Sequence, residues 1–189
     1  MVLAAGLLVS GCNPDPGPTP SGSPTAAPSV SPSAIPSPTP TENAQEREQR
    51  EAFEAAEKAY RTGFAEVGQL STRGGVSDPT RTMRQTMTGE YLTFQMSQLE
   101  LFKKQGLRAT AVGQIGWLRA SGYSAESLHL ETCEDFRKVH LVNDAGATES
   151  PGEDPGTRVY RQSITMKKSA GRWKAATLKT VDQLRDCDS

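Results

Sequence analysis

Several features that point to well-known classes of protein are scarce in this chain. It carries 21 Lys and Arg against 22 Asp and Glu, for a formal net charge of −1, whereas a dedicated nucleic-acid binder normally has a basic excess. It has no apolar run near the ~20 residues that a membrane-spanning helix needs. With two histidines and three cysteines, it offers few side chains for metal or nucleophile chemistry, and no phosphate-loop or zinc spacing occurs. We therefore expect no nucleic-acid partner, no metal and no cofactor.

The amino-terminal residues have the form of an export signal. Residues 1–9 make a short apolar stretch, and Ser10 and Gly11 follow it before Cys12, a pattern typical of secretory signals. The Val-Ser-Gly-Cys sequence resembles a bacterial lipobox, and this resemblance implies cleavage before Cys12 and a diacylglycerol on its thiol. A buried strand with a chance cysteine is the alternative, but a core strand would not open onto the Pro-rich segment that follows. We predict a lipoprotein signal peptide at residues 1–11.

Residues 12–42 are predicted to hold the lipid-anchor cysteine and a disordered linker. Ten of the 13 prolines lie between residues 14 and 40, among Ser, Thr, Gly and Ala. Such a segment cannot bury enough apolar surface to offset its ordering entropy. As an extended chain rising ~3.1 Å per residue, it would reach up to about 80–90 Å from a membrane. We interpret it as a spacer through the cell wall, and its Ser and Thr residues are also candidates for O-glycosylation.

Residues 43–189 are predicted to form one domain that begins with helices. Phe53, Tyr60 and Phe64 recur at helical spacing in the first of them. A second helical region is predicted to begin at Asp78 as N-cap, with Pro79 at the first helical position. It should run in two pieces around Gly89 as far as Lys104, with Gly106 as the C-cap.

Strands are predicted for the rest of this domain. The predicted strands lie at residues 107–119, 128–133, 138–143, 158–168 and 172–181. Ala109, Ala111, Ile115 and Trp117 are predicted to share one face of the first. Helices followed by antiparallel strands indicate an α+β fold, with the helices on one face of the sheet.

The cysteine count predicts a disulfide bond. If Cys12 carries lipid, Cys133 and Cys187 remain, and an exported compartment is oxidising, so we predict that the two are joined. Two inert thiols or a reactive pair are the alternatives. The chain has no CxxC motif, and the spacing does not suit metal ligation.

Three segments resemble parts of a known family. They are Leu-Glu-Thr-Cys-Glu-Asp at 130–135, Val-His-Leu-Val-Asn-Asp-Ala-Gly at 139–146 and Gly-Arg-Trp-Lys at 171–174. Together with the order of elements, they resemble secreted lipoproteins of high-GC Gram-positive bacteria that carry a nuclear-transport-factor-2-like (SnoaL-like) domain. The resemblance covers residues from about 43 to 187. It implies a cystatin-like cone, in which a curved antiparallel sheet wraps around helices and leaves a pocket at its open end. It implies no fixed chemistry, because this fold hosts isomerases, dehydratases, cyclases and proteins without activity.

The candidate pocket residues are aromatic or histidine side chains on the predicted helices and strands. They are Tyr60, Tyr91, Trp117, His129 and Tyr160. Enzymes of the resembled family use an Asp, His or Tyr that projects into the cone. Simpler interpretations are that Tyr60 is a core residue, that His129 faces solvent and that Asp135 caps a turn. We assign no catalytic residue.

A group of basic residues lies on the predicted last hairpin. These candidates for a basic surface are Lys167, Lys168, Arg172 and Lys174. They suit a polyanion, but protective lysines along a solvated strand edge are the interpretation that we favour.

These observations favour a lipoprotein that is anchored at the extracytoplasmic face of the cell membrane. Its cone domain is expected to be a non-catalytic binding or interaction module, with cell-envelope proteins or a small apolar ligand as partners. One alternative is an isomerase-like or dehydratase-like enzyme, which requires a buried polar residue of perturbed pKa facing an apolar cavity. Another is an accessory subunit of a cell-envelope complex. The resemblance also allows a homodimer.

Overall fold

The computed structural model describes residues 42–149 and 158–188, so the predicted signal peptide, Cys12 and almost all of the predicted linker lie outside the described residues. In chain order, the elements of the described part are α1 (Ala44–Thr72), α2 (Arg81–Thr86), α3 (Gly89–Gln105), β1 (Leu107–Ala109), β2 (Gln114–Tyr123), β3 (Ser127–Asp135), β4 (Leu141–Asn143), β5 (Thr148–Glu149), β6 (Val159–Ser169) and β7 (Arg172–Leu184). Helices come first and antiparallel strands follow, which confirms the predicted α+β fold.

Helix α1 begins at a capping box. Asn43 Oδ1 accepts a hydrogen bond from the backbone N–H of Glu46, and Glu46 Oε2 accepts one from the backbone N–H of Asn43, both at 2.9 Å. Each bond satisfies an N–H group that the first turn of a helix leaves without a partner. At the other end of the helical region, Gly106 takes the left-handed conformation at φ 62° and ends α3 as predicted.

The start of α2 differs from the prediction. The N-cap is Thr80, whose Oγ1 accepts from Met83 N at 3.2 Å and donates to Glu66 Oε1 on α1 at 2.7 Å. Because Thr80 bonds both its own helix and α1, helix α2 begins just after Thr80, and the N-cap lies two residues beyond Asp78. The predicted Asp78 cap was therefore wrong, because a contact with a distant helix decides where α2 begins.

The described strands form two antiparallel sheets. The larger has the order β2-β3-β6-β7, and the smaller has the order β1-β4-β5. The predicted strand at residues 107–119 is thus two strands in different sheets. The chain bends between them at residues 110–111, and at Gly113, just before β2, a Cβ atom would lie 2.5 Å from Cε1 of Phe136. Only glycine lets the backbone pass this ring so closely.

A β-bulge at Gly116 reverses the side-chain alternation of β2. Ile115 lies opposite Glu134, whereas Trp117 lies opposite Cys133, the neighbouring residue of β3. Since neighbouring residues of a strand face opposite sides, Ile115 and Trp117 do too. The prediction that they share a face was wrong for this reason.

The predicted disulfide bond is present on the side of the sheet away from the helices. Cys133 on β3 and Cys187 beyond β7 are joined at an S–S distance of 2.03 Å, across 54 positions of sequence. The Cβ of Cys187 would lie 2.5 Å from a Cβ at position 116. The glycine at the bulge therefore makes room for the chain segment that carries Cys187.

The inner face of the larger sheet has an apolar end and a polar end. At the apolar end, Leu128 and Leu130 on β3 lie opposite Met166 and Ile164 on β6, and all four are fully buried. They belong to one core cluster with helix residues such as Tyr60, Met83 and Leu99. Toward the other end the inward positions are Thr132, Glu134, Gln162 and Tyr160. In the described part of the chain, no helix is both long and apolar enough to cross a membrane.

Candidate functional site

A cavity of about 400 Å³ lies over the polar end of the inner sheet face. Four of the five phenylalanines and two of the four tyrosines of the chain line it. They are Phe64, Phe94, Phe102, Phe136, Tyr91 and Tyr160. Helix α1 supplies Phe64, α3 supplies Tyr91, Phe94 and Phe102, and β6 supplies Tyr160. The volume of the cavity falls in the usual range of small-molecule pockets.

Glu134 is a buried carboxylic acid in the wall of this cavity. Its side chain is on the inner face of β3, and the residue is 4% exposed. The hydroxyl of Tyr60, on α1, donates a hydrogen bond to its Oε1. Burial raises the pKa of Glu134 to about 7, and the Tyr60 hydrogen bond opposes that rise. The carboxyl group therefore changes its protonation state near neutral pH.

A continuous series of aromatic contacts runs from Tyr91 to Tyr160. Ring centroids lie 6.3 Å apart for Tyr60 and Tyr91, 6.4 Å for Tyr60 and Phe64, and 5.9 Å for Phe64 and Phe136. Phe136 and Tyr160 complete the series at 6.3 Å. Burial raises the pKa of the Tyr91 phenol, so it stays neutral and can both donate and accept hydrogen bonds.

Gln162 adds a buried amide to the cavity wall, whose other uncharged polar side chains, besides the tyrosines, are Ser71, Gln95, Gln98 and Thr180. Gln162 is 6% exposed and lies on β6 opposite Thr180 of β7. Its Oε1 is buried and has no hydrogen-bond partner among the described residues. Because Glu134 lies opposite Tyr160, two positions from Gln162, the carboxyl and the amide are diagonal neighbours on one sheet face. A buried oxygen without a partner costs free energy that a ligand donor would recover.

The structure separates the predicted pocket residues into two groups. Tyr91 and Tyr160 line the cavity, and Tyr60 lies behind it with its hydroxyl on Glu134. Trp117 and His129 do not line it. The bulge turns Trp117 to the outer face, where the guanidinium of Arg119 lies 4.2 Å from its ring centroid, and His129 is exposed on that face.

The sequence reasoning missed Glu134 and Gln162, although the strand pattern contained a signal for the first. In β3, Leu128 and Leu130 are two positions apart, which predicts that Thr132 and Glu134 face the same side. His129 between the two leucines then faces outward. No local signal distinguishes Gln162 from an ordinary strand residue, because its strand partners Thr132 and Thr180 are distant in the sequence.

Asp135 caps a turn, as the simpler interpretation held. Its Oδ1 accepts from the backbone N–H of Arg137 at 2.9 Å, and its Oδ2 pairs with the guanidinium of Arg137 at 2.6 Å. These contacts hold the pKa of Asp135 below its usual value. The carboxyl group is thus engaged outside the cavity.

The predicted basic residues lie at the β6–β7 hairpin. Lys167, Lys168 and Arg172 are exposed, and Lys174 is half-buried. The ammonium of Lys168 lies 5.8 Å from the ring centroid of Trp173. Polyanion binding here stays a prediction. Within residues 42–149 and 158–188, no cluster of three or more His, Cys, Asp or Glu side chains could hold a metal ion.

Comparisons with known proteins give structural similarity only. No family model matches the chain, and no curated protein matches it. The intermembrane space region of the chloroplast protein ARC6 is 14% identical over 68% of this chain and 95% of its own, with a TM-score of 0.47. An NTF2-like protein with a cystatin-like fold from Novosphingobium aromaticivorans is 10% identical over 74% of this chain and 89% of its own, with a TM-score of 0.39. An uncharacterized protein with a cystatin-like fold from Caulobacter vibrioides is 13% identical over 71% and 91%, with a TM-score of 0.35.

Proposed function

We propose that this protein is an extracytoplasmic lipoprotein whose folded domain binds a small, largely apolar molecule in the cavity beside Glu134. The observation that carries the proposal is the cavity itself, an aromatic-lined space of about 400 Å³ with a buried carboxyl group and a buried amide in its wall. Pockets of this size with a few placed polar groups are the common form of small-molecule sites. Anchoring at the membrane is supported by the lipobox-like sequence that ends at Cys12.

The mouth of the cavity offers a direct test of binding. Thr180 and Lys179 are neighbours on β7, and both are exposed. Thr180 lines the cavity, whereas Lys179 lies opposite Ser163 on the outer face. Thr180→Trp should place an indole in the mouth and exclude a ligand, and Lys179→Trp is the matched control.

The measurement is native mass spectrometry of the full chain, exported through an oxidising compartment, with binding of phenylbutanol followed by calorimetry. Each variant carries Cys12→Ser, which removes the predicted lipid site. We expect a co-purified small-molecule mass or phenylbutanol binding in the parent and in Lys179→Trp, and neither in Thr180→Trp. Equal binding by both tryptophan variants would contradict a ligand site at this cavity.

Acid–base catalysis in the same cavity is a second candidate function. It is favoured by Glu134, since a carboxyl group whose pKa burial raises to about 7 can exchange protons with a bound substrate at neutral pH. The Tyr60 hydroxyl on its Oε1 would orient it. A catalytic site of this kind would remove a proton next to a substrate carbonyl group.

Proton exchange distinguishes an enzyme from a binder. In deuterium oxide, an acid–base enzyme should replace the protons next to the carbonyl group of benzylacetone with deuterium, and proton NMR follows the loss of their signal. Glu134→Gln should abolish exchange, while Glu131→Gln should not, because Glu131 pairs with Arg119 on the outer face. Binding of benzylacetone without exchange would leave the non-catalytic function.

A further inference from the structure

The cavity has an uneven electrostatic composition. Among the described residues that line it, Glu134 is the only carboxylic acid, and none is Lys, Arg or His. Its other titratable groups are the phenols of Tyr91 and Tyr160, with Tyr60 behind them on α1. An anionic ligand would therefore meet a carboxyl group without any compensating positive charge, which burial makes unfavourable.

The hydrogen-bonding groups of the wall also favour a particular ligand. Gln162 Oε1 is an acceptor without a partner among the described residues, and ionised Glu134 is an acceptor that holds one donor, the Tyr60 hydroxyl. A ketone has no N–H or O–H hydrogen and would leave the Gln162 oxygen unsatisfied. An alcohol has one such hydrogen. A primary ammonium has three N–H hydrogens and a secondary one has two, enough for the Glu134 and Gln162 oxygens together.

The aromatic walls suit a positive charge as well. Six aromatic side chains line the cavity, and the ring faces of Phe and Tyr attract cations within about 6 Å of the centroid. We infer that the cavity binds an organic cation, a primary or secondary ammonium on an apolar body, whose N–H groups donate to Glu134 and Gln162. This inference rests on the proposed binding function and names its ligand class.

Three probes of nearly equal size test the ligand class. Phenylbutylamine is the cation, phenylbutanol its neutral counterpart, and benzylacetone the carbonyl compound. Calorimetry on the full chain with Cys12→Ser should give the tightest binding for the amine at pH 8. In Glu134→Gln the amine should bind about tenfold more weakly or worse, while phenylbutanol changes by less than about threefold. Gln162→Leu should weaken the amine in the same direction, and Glu131→Gln should leave all three unchanged.

The pH dependence gives a second readout that needs no variant. Phenylbutylamine stays protonated from pH 6 to 8, while Glu134, with a pKa of about 7, passes from mostly neutral to mostly ionised. Amine affinity in the parent chain should therefore rise about tenfold from pH 6 to pH 8 and stay flat in Glu134→Gln. Tyr60, Tyr91 and Tyr160 face Glu134, and burial raises the pKa of Tyr60 and of Tyr91 above that of an ordinary phenol, so these two stay neutral in this range.

The possible outcomes distinguish a wrong ligand class from a wrong binding function. Amine binding that is no tighter than alcohol binding, or that is unaffected by Glu134→Gln, would contradict a cationic ligand and leave a site for neutral ligands. If none of the three probes binds and no small molecule co-purifies with the parent, the proposed function itself is wrong, and the inference falls with it.

Discussion

Glu134 makes the folding free energy of this domain depend on pH. Its pKa is about 7 in the fold, against 4.5 for an unperturbed glutamate, because burial disfavours the charged form. Between these two values the folded chain keeps a proton that the unfolded chain has lost. The free energy of unfolding therefore decreases as the pH rises from 4.5 to about 7. Above that range the contribution of Glu134 stays constant.

We expect Glu134→Gln to be the more stable protein at pH 8. The amide carries no charge to bury, so relative to the variant the parent should lose about 3 kcal/mol of unfolding free energy from pH 4.5 to pH 7. Urea unfolding at several pH values measures this difference. Glu131→Gln is the control, and a parent whose pH dependence equals that of Glu134→Gln would contradict the buried, titrating carboxyl group.

The Tyr60 hydroxyl opposes the effect of burial on Glu134. Since its hydrogen bond lowers the pKa of Glu134, Tyr60→Phe should raise the titration midpoint by about 1 pH unit. NMR of the labelled carboxyl carbon follows the titration. Tyr123→Phe also removes a phenol that bonds a glutamate, Glu48 at 2.9 Å, but on the exposed surface, and it should not move the midpoint of Glu134.

At the scale of elements, the disulfide bond ties the end of the chain to the outer face of β3. Cys133 and Cys187 are 54 positions apart, and cross-linking a loop of that length lowers the entropy of the unfolded chain. Cys187→Ser should cost about 4 kcal/mol in that model, measured by urea unfolding without reductant. Reductant should reduce the stability of the parent and leave the variant unchanged.

Gly116 provides an independent check on this packing. Because a Cβ at this position would lie 2.5 Å from that of Cys187, Gly116→Ala should destabilise the parent by about 1–3 kcal/mol. In a Cys187→Ser background the tail is free to move away, so the same change should cost less. Additive effects of the two substitutions would show that the tail does not pack against the bulge.

Sequence patterns predicted most of the elements, and where they failed the reason was a contact between distant segments. The end of α3 at Gly106 and the long β6–β7 hairpin follow from local signals. The start of α2 depends on the bond from Thr80 to Glu66 on α1. The division of residues 107–119 into two strands depends on their pairing with two different distant strands, β4 and β3. Neither contact is visible in a local window of sequence.

At the scale of the whole molecule, anchoring and ligand binding are assigned to different parts of the chain. Cys12 and the Pro-rich segment are predicted to hold the protein at a membrane, and the cavity belongs to the folded domain. The two assignments are independent, so each can fail without the other. A domain held on an extended linker would keep its cavity accessible to molecules outside the membrane.

Removing the predicted lipid site tests the anchor. Cys12→Ala should move the protein from the membrane fraction to the soluble fraction and abolish incorporation of labelled palmitate, because one thiol carries the predicted lipid. Cys187→Ser, which also removes one cysteine, should leave the fractionation unchanged. Retention of Cys12→Ala in the membrane fraction would contradict a lipid anchor at Cys12.

The sequence by itself determined the α+β class and most of the helical and strand regions, because these follow from periodicity and local caps, and a count of cysteines predicted the pairing of Cys133 with Cys187. The tertiary structure decided which side chains meet. Glu134 and Tyr60 are 74 positions apart, and Gln162 lines the same cavity from another strand. The pKa of Glu134 and the unsatisfied oxygen of Gln162 depend on how completely other elements cover them, and burial is a property of the packed fold rather than of any local segment.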